Sequence, residues 1–106
     1  MPFPKQQRHD LTTAAIRSMQ PNQSGIYGIF NHLHCIYIGK TEDIRESLLQ
    51  HANRESEQSA CIFKNDPQYW LASIVSKSQL GFWERMLLGE FRPVCIAQQV
   101  TRSQKR

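Results

Sequence analysis

Two short apolar runs, Gly25 to Phe30 and Cys35 to Gly39, are the strongest pattern in the chain. β-Branched and aromatic residues dominate both, and the turn-prone stretch Asn31-His32-Leu33-His34 separates them. That density with so short a linker predicts a β-hairpin. Beyond it the apolar period becomes helical. Ile44, Leu48, Leu49 and Ala52 fall on one stripe, Thr41 stands where an N-cap belongs, and Glu42 and Asp43 place acid at the positive end of the helix dipole. The unit reads strand, turn, strand, helix, with one tyrosine in each strand.

The flanks are less regular. Residues 1–9 carry two prolines among polar residues and predict an extended arm. Asp10 is placed to cap a short helix over Leu11 to Met19, which Pro21 to Gly25 ends as a turn. Asn53 to Ala60 is polar and charged, and predicts a loop. Cys61-Ile62-Phe63 is a brief apolar run cut by the turn signature Lys64-Asn65-Asp66-Pro67. Tyr69 to Val75 predicts a third strand, apolar on both faces and so suited to a covered, central place. Ser78 then caps a helix to Phe91, with Leu80, Trp83, Leu87 and Glu90 on one side, and Arg92-Pro93 stops it. Val94-Cys95-Ile96 reads as a last small strand or a packed strap. The expected class is α+β: a small three-stranded antiparallel sheet flanked by helices. The expected organisation is an arm and short helix over 1–20, one domain over 21–97 and a basic tail over 98–106.

Length limits this chain of 106 residues to one small core. No run approaches a membrane span, and the N-terminus lacks the apolar stretch of a secretory signal, so an intracellular, cytoplasmic protein without membrane contact is expected. Three cysteines, Cys35, Cys61 and Cys95, are odd in number and widely spaced, which predicts neither a disulfide framework nor a zinc knuckle. His32, His34 and Cys35 are a poor zinc set, because neighbours on a strand point to opposite faces. Thirteen basic against nine acidic residues give a net charge of +4, a mild bias towards a polyanionic partner. The excess is sharpest after Glu90, where Arg92, Arg102, Lys105 and Arg106 meet no acid.

The triplets Gly25-Ile26-Tyr27 and Tyr37-Ile38-Gly39, followed by Lys40-Thr41 and a helix ending near His51, resemble the GIY-YIG endonuclease family. The resemblance extends to about Ile96. It implies the family's small three-stranded antiparallel sheet flanked by helices, and it implies chemistry on a phosphodiester. That family uses tyrosines from the two strands, an arginine on the next helix, a glutamate on a later helix that holds one divalent metal, and an asparagine. Tyr27 and Tyr37 match the tyrosines. Glu84 matches the glutamate, and Mg²⁺ or Mn²⁺ is the metal implied, since a carboxylate oxygen suits a hard cation. A phenol with an ordinary pKa of ~10 needs a nearby cation or water network to serve as a base at neutral pH.

Two positions depart from the pattern. Ser47 stands at the arginine position, and Ile96 stands where the asparagine is expected. Arg45 lies two residues before Ser47, about 200° round the helix, and Arg54 lies about 10 Å further along its axis. Neither replaces a guanidinium at 47. Lys40, at the helix entrance, is the residue placed to take over part of its task, as a point charge without the bidentate fork. Candidates for nucleic-acid contact are therefore Lys40, Arg45, Arg54 and His51, with His51 and His34 also candidates for proton transfer. The first reading is a nucleic-acid-binding domain, on DNA, with weakened, altered or lost hydrolysis. The second is an active metal-dependent endonuclease, for which cutting both strands calls for a homodimer. The third is a protein-interaction scaffold. The nucleic-acid readings rest on both phenols and the Glu84 carboxylate meeting, accessible, in one shallow cleft.

Overall fold

A computed structural model describes residues 9–95, with side chains from Leu11 onward. The elements in order are β1 (His9–Asp10), α1 (Thr13–Arg17), β2 (Gly25–Phe30), β3 (Cys35–Thr41), α2 (Ile44–Ala52), α3 (Ser59–Lys64), β4 (Tyr69–Ile74) and α4 (Leu80–Phe91). The sheet is antiparallel in the order β1-β4-β2-β3. Its three principal strands are those the apolar pattern predicts. β1 adds a two-residue edge from the stretch expected to be an arm. The segments before His9 and after Cys95, including Ile96 and the basic tail, lie outside the described residues.

Asn31 makes the hairpin. Its Oδ1 accepts from the backbone N–H groups of Leu33 and His34, both at 2.8 Å, which leaves Leu33 exposed at the tip. Pairing then skips a residue: Ile29 faces Tyr37 but Phe30 faces Cys35, so Ile36 is bulged. The bulge sends Ile36 and Tyr37 into the same core, with Tyr27, Ile29, Ile44, Leu48, Ile62 and Trp70. The opposite face buries Ile26, Phe30, Cys35 and Ile38 against Leu80 and Leu87 of α4. Each such aliphatic side chain contributes roughly 1.5–3 kcal/mol by leaving water.

Four local expectations are corrected. Thr41 does not cap α2. It stays in β3, paired with Gly25, and Asp43 caps instead, its Oδ1 accepting from Glu46 N–H at 3.1 Å. The N-terminal helix begins at Thr13 and is capped by Thr12, not Asp10, because Asp10 is held in the sheet. Cys61-Ile62-Phe63 belongs to a one-and-a-half-turn helix, α3, that the loop expected over 53–60 leads into. Ser78 lies within a 3₁₀ turn over Lys77–Gln79 that enters α4, and makes no cap. The central place of β4, between β1 and β2, is as expected, but its covering is uneven. Trp70 is buried whereas Ile74 is 66% exposed.

The strap is present and pairs in parallel with β3. Val94 and Cys95 donate to the carbonyls of Cys35 and Ile36, at 3.2 and 2.7 Å. Cys95 is also joined to Cys61 by a disulfide, with Cα atoms 6.0 Å apart. This overturns the expectation from cysteine count and spacing. The two residues are distant in sequence, and only the docking of the strap brings them together. Cys35 is a buried free thiol, pushed up to about 12 by desolvation.

Candidate active site

Tyr27 and Tyr37 lie on the sheet face covered by α2, their ring centroids 6.1 Å apart. Space for Tyr27 comes from its cross-strand neighbours, Gly39 in β3 and Ala72 in β4. A Cβ on Gly39 would stand 2.6 Å from both Cζ and Oη of Tyr27. The tyrosine of the first triplet thus lies across the glycine of the second, which is why the two motifs need each other. Gly25 serves the opposite contact: a Cβ there would collide with the Ser73 carbonyl and stand 2.7 Å from Ile44 Cδ1. Gly39→Ala is expected to cost about 1–3 kcal/mol, the penalty of overpacking a ring that has nowhere to move. Urea unfolding measures it.

What pins the ring is His51. Its Nε2 lies 2.6 Å from the Tyr27 hydroxyl and its Nδ1 lies 2.6 Å from Ser56 Oγ. Tyr37 packs edge-on against the same imidazole, with centroids 5.1 Å apart. His51 is only 3% exposed. It is therefore not a surface contact for nucleic acid, and that expectation is corrected. Leu48 and Ile44 precede it at helical spacing, so the core stripe of α2 continues through His51, a signal already present in the sequence.

Burial lowers His51 from 6.5 to about 4, so the folded protein holds it neutral at pH 7. The unfolded chain takes up a proton as pH falls through 6.5, while the folded chain waits until about 4. Stability is therefore complete above 6.5 and is lost between those values, by about 3 kcal/mol at most. Urea midpoints compared near neutral pH and at about pH 4.5 should fall further for the native chain than for His51→Gln, which lacks that titration.

The phenols are shifted the other way. Desolvation holds Tyr27 well above its ordinary 10.0, with further contributions from the charge and hydrogen bonding of Tyr37 and from the charge of Glu84. Tyr37 is also raised, by desolvation and then by Glu84, against a lowering by its hydrogen bond with Tyr27. The Glu84 carboxylate thus influences both phenols. Its own polar partner is Lys40, with Nζ 3.6 Å from Oε1, and the glutamate side chain is 14% exposed. Neither Arg85 nor Lys77 takes that place. Lys77 pairs with Glu42 at 3.6 Å.

Solved structures with this architecture include the GIY-YIG N-terminal endonuclease domain of UvrC from Thermotoga maritima, bound to its catalytic divalent cation, magnesium. That structure has a TM-score of 0.62 and 24% identity, over 74% of this chain and 92% of that one. Two point mutants of the same domain, each with its catalytic divalent cation, give TM-scores of 0.62 and 0.63 at 24% identity, over 74% of this chain and 91% of theirs. The chain has the GIY-YIG fold. No protein-family model matches it, and no curated protein does.

Within the GIY-YIG fold the expected site is only partly assembled. Tyr27 and Tyr37 pack together and Lys40 pairs with Glu84, but the two tyrosines are only 3% and 6% exposed, so the open cleft in which both phenols reach solvent is not formed. Position 47 carries no cation. Ser47 Oγ donates to Thr41 Oγ1 at 2.6 Å, and Thr41 Oγ1 also accepts from Asp43 N–H, stitching the end of β3 to the start of α2. Arg54 is exposed and has a left-handed backbone just past α2. Its guanidinium lies 4.1 Å from the Phe63 ring centre, an ordinary cation–π seat. Arg45 is half-buried, with its Nε enclosed and without a hydrogen-bond partner among the described residues. Sequence reasoning missed Ser56 and Ser59, which support His51 from a stretch that carries no periodic signal.

Proposed function

We propose that this chain is a nucleic-acid-binding domain of GIY-YIG nuclease type, acting on DNA, with phosphodiester hydrolysis weakened, altered or lost. The burial of both tyrosines removes the cleft on which the sequence-based reading depends, so what carries the proposal is the fold shared with the Thermotoga endonuclease domain, with Lys40 half exposed beside Glu84. Tyr27 has its hydroxyl engaged inside the protein. Tyr37 is buried too, and Lys40, its side chain half exposed, is the group open to a phosphate. Ser47 explains the weakening, because no guanidinium answers the charge that develops on a phosphorane.

Among the described residues no three His, Cys, Asp or Glu side chains cluster for a metal. The donor set is therefore one carboxylate, which fits a hard cation that keeps its water and borrows phosphate oxygens. Glu84 would hold Mg²⁺ or Mn²⁺, and the ion would neutralise charge on the phosphate during cleavage. Lys40 neutralises Glu84 in this structure. Cutting both strands calls for a second copy of the chain.

The test is a salt titration of binding to linear and branched DNA, with Mn²⁺ binding followed in parallel. Affinity should fall linearly on logarithmic axes as salt rises. Glu84→Ala should weaken Mn²⁺ binding at least about tenfold, since the ion loses its one protein ligand. The alternative is a protein-interaction scaffold, favoured by the burial of both rings. It is the reading left standing if no salt-dependent binding is seen.

A further inference from the structure

α4 buries Leu80 and Leu87 against the sheet and leaves its other side in solvent. On that outer side Phe82 and Met86 are 51% and 52% exposed, with the Phe82 ring steadied edge-on by Trp83. Gly89 is exposed as well, with nothing within 4 Å of the place a Cβ would take. At about 100° per residue the three fall within a stripe ~60° wide. Spacing of four and then three residues is that of a coiled-coil seam, and the bare backbone at Gly89 permits close approach. Arg85 and Glu90, both exposed, flank the stripe on opposite sides. Among the described residues neither is in an ion pair. They stand about 140° apart round the helix and cannot reach each other within it.

Across a second α4 they can. In a parallel helix pair, a residue on one flank crosses the seam to the opposite flank of the other helix, about five positions on. Arg85 of each copy then meets Glu90 of the other, and twofold symmetry makes the contact twice. An antiparallel pair would set Arg85 beside Arg85 and Glu90 beside Glu90, which charge repulsion disfavours. We infer that the outer face of α4 is a self-association surface, on which two copies of this chain pair in parallel through Phe82 and Met86, with Arg85 of each opposite Glu90 of the other. The contact is one helix face of about three turns, so the dimer is weak and concentration-dependent. Glu84 lies on the other side of α4, about 170° round, so the pairing does not cover it. The surface is read from α4 alone and does not rest on the nuclease-type reading.

Sedimentation equilibrium of the full chain, from micromolar to millimolar concentration, should show a monomer in exchange with a dimer. Met86→Asp should abolish the dimer, because the seam would bury an unpaired carboxylate. Arg85→Glu and Glu90→Arg should each weaken it at least about tenfold, by setting like charges across both contacts. Both changes in one chain re-form the pairs reversed, and should restore the dimer. These side chains are exposed, so urea midpoints of the variants should stay near the native value. A chain monomeric throughout overturns the inference, as does a dimer indifferent to Met86→Asp or a double reversal no tighter than the single changes. A monomer that binds anionic phospholipid vesicles, and loses them in Met86→Asp, would give the face to a membrane surface and overturn it too. Dimerisation without salt-dependent DNA binding would sink the proposed function and leave this inference standing.

Discussion

Ser47→Arg is expected to raise phosphodiester cleavage on the order of 10²–10³-fold, the amount by which one missing donor to a developing oxyanion commonly slows such sites. None of the three nearby cations stands in for that guanidinium. Lys40 is held by Glu84, Arg54 rests on Phe63, and Arg45 has its Nε enclosed. The substitution sacrifices the Ser47–Thr41 hydrogen bond, about 1 kcal/mol, which a domain of this size tolerates. Cleavage of supercoiled plasmid and of a branched duplex in Mg²⁺ or Mn²⁺, native chain against variant, reads the gain. Ser47→Lys should gain less, since an ammonium supplies charge without the planar fork. No gain with arginine would mean that the loss of activity extends beyond this charge, with the Ile96 position the next to restore.

The hairpin was legible because both strands are apolar on both faces and Asn31 has an unmistakable turn chemistry. The glycines were visible as part of a motif, but their reason was not. Only the register, with Tyr27 opposite Gly39, shows that one triplet makes room for the other. Thr41 and Asp43 are equally good capping types, and the choice between them was made by a distant partner. Pairing with Gly25 holds Thr41 extended, so the helix starts after Asp43. His51 lies on the readable stripe of α2, but an imidazole after a motif of this kind reads as a nucleic-acid contact or proton-transfer group. Its burial depends on Tyr27, Tyr37 and Ser56, three residues from elsewhere in the fold.

The same limit hid the disulfide, and its removal is the other large effect expected. Cys61 and Cys95 close a loop with a sequence separation of 34, for which chain entropy in the unfolded state corresponds to about 4 kcal/mol. Reduction by a dithiol, or the double change Cys61→Ala and Cys95→Ala, should lower stability by roughly 2–4 kcal/mol, seen as an earlier urea midpoint. Thiol counting checks the premise. Denatured without reductant, the chain should show only the Cys35 thiol, and all three cysteines should react after reduction. The consequence reaches the site from both sides. Cys95 anchors the strap on β3 beside Tyr37, while Cys61 lies in α3, whose Ser59 supports Ser56 and through it His51. Opening the bond leaves the described strap held to β3 by the two backbone hydrogen bonds of Val94 and Cys95. Hydrogen exchange at those amides should therefore rise on reduction more than at Gly28 or Ile29 in the centre of the sheet. Unchanged exchange and an unmoved midpoint would show that packing, not the covalent link, holds the strap in place.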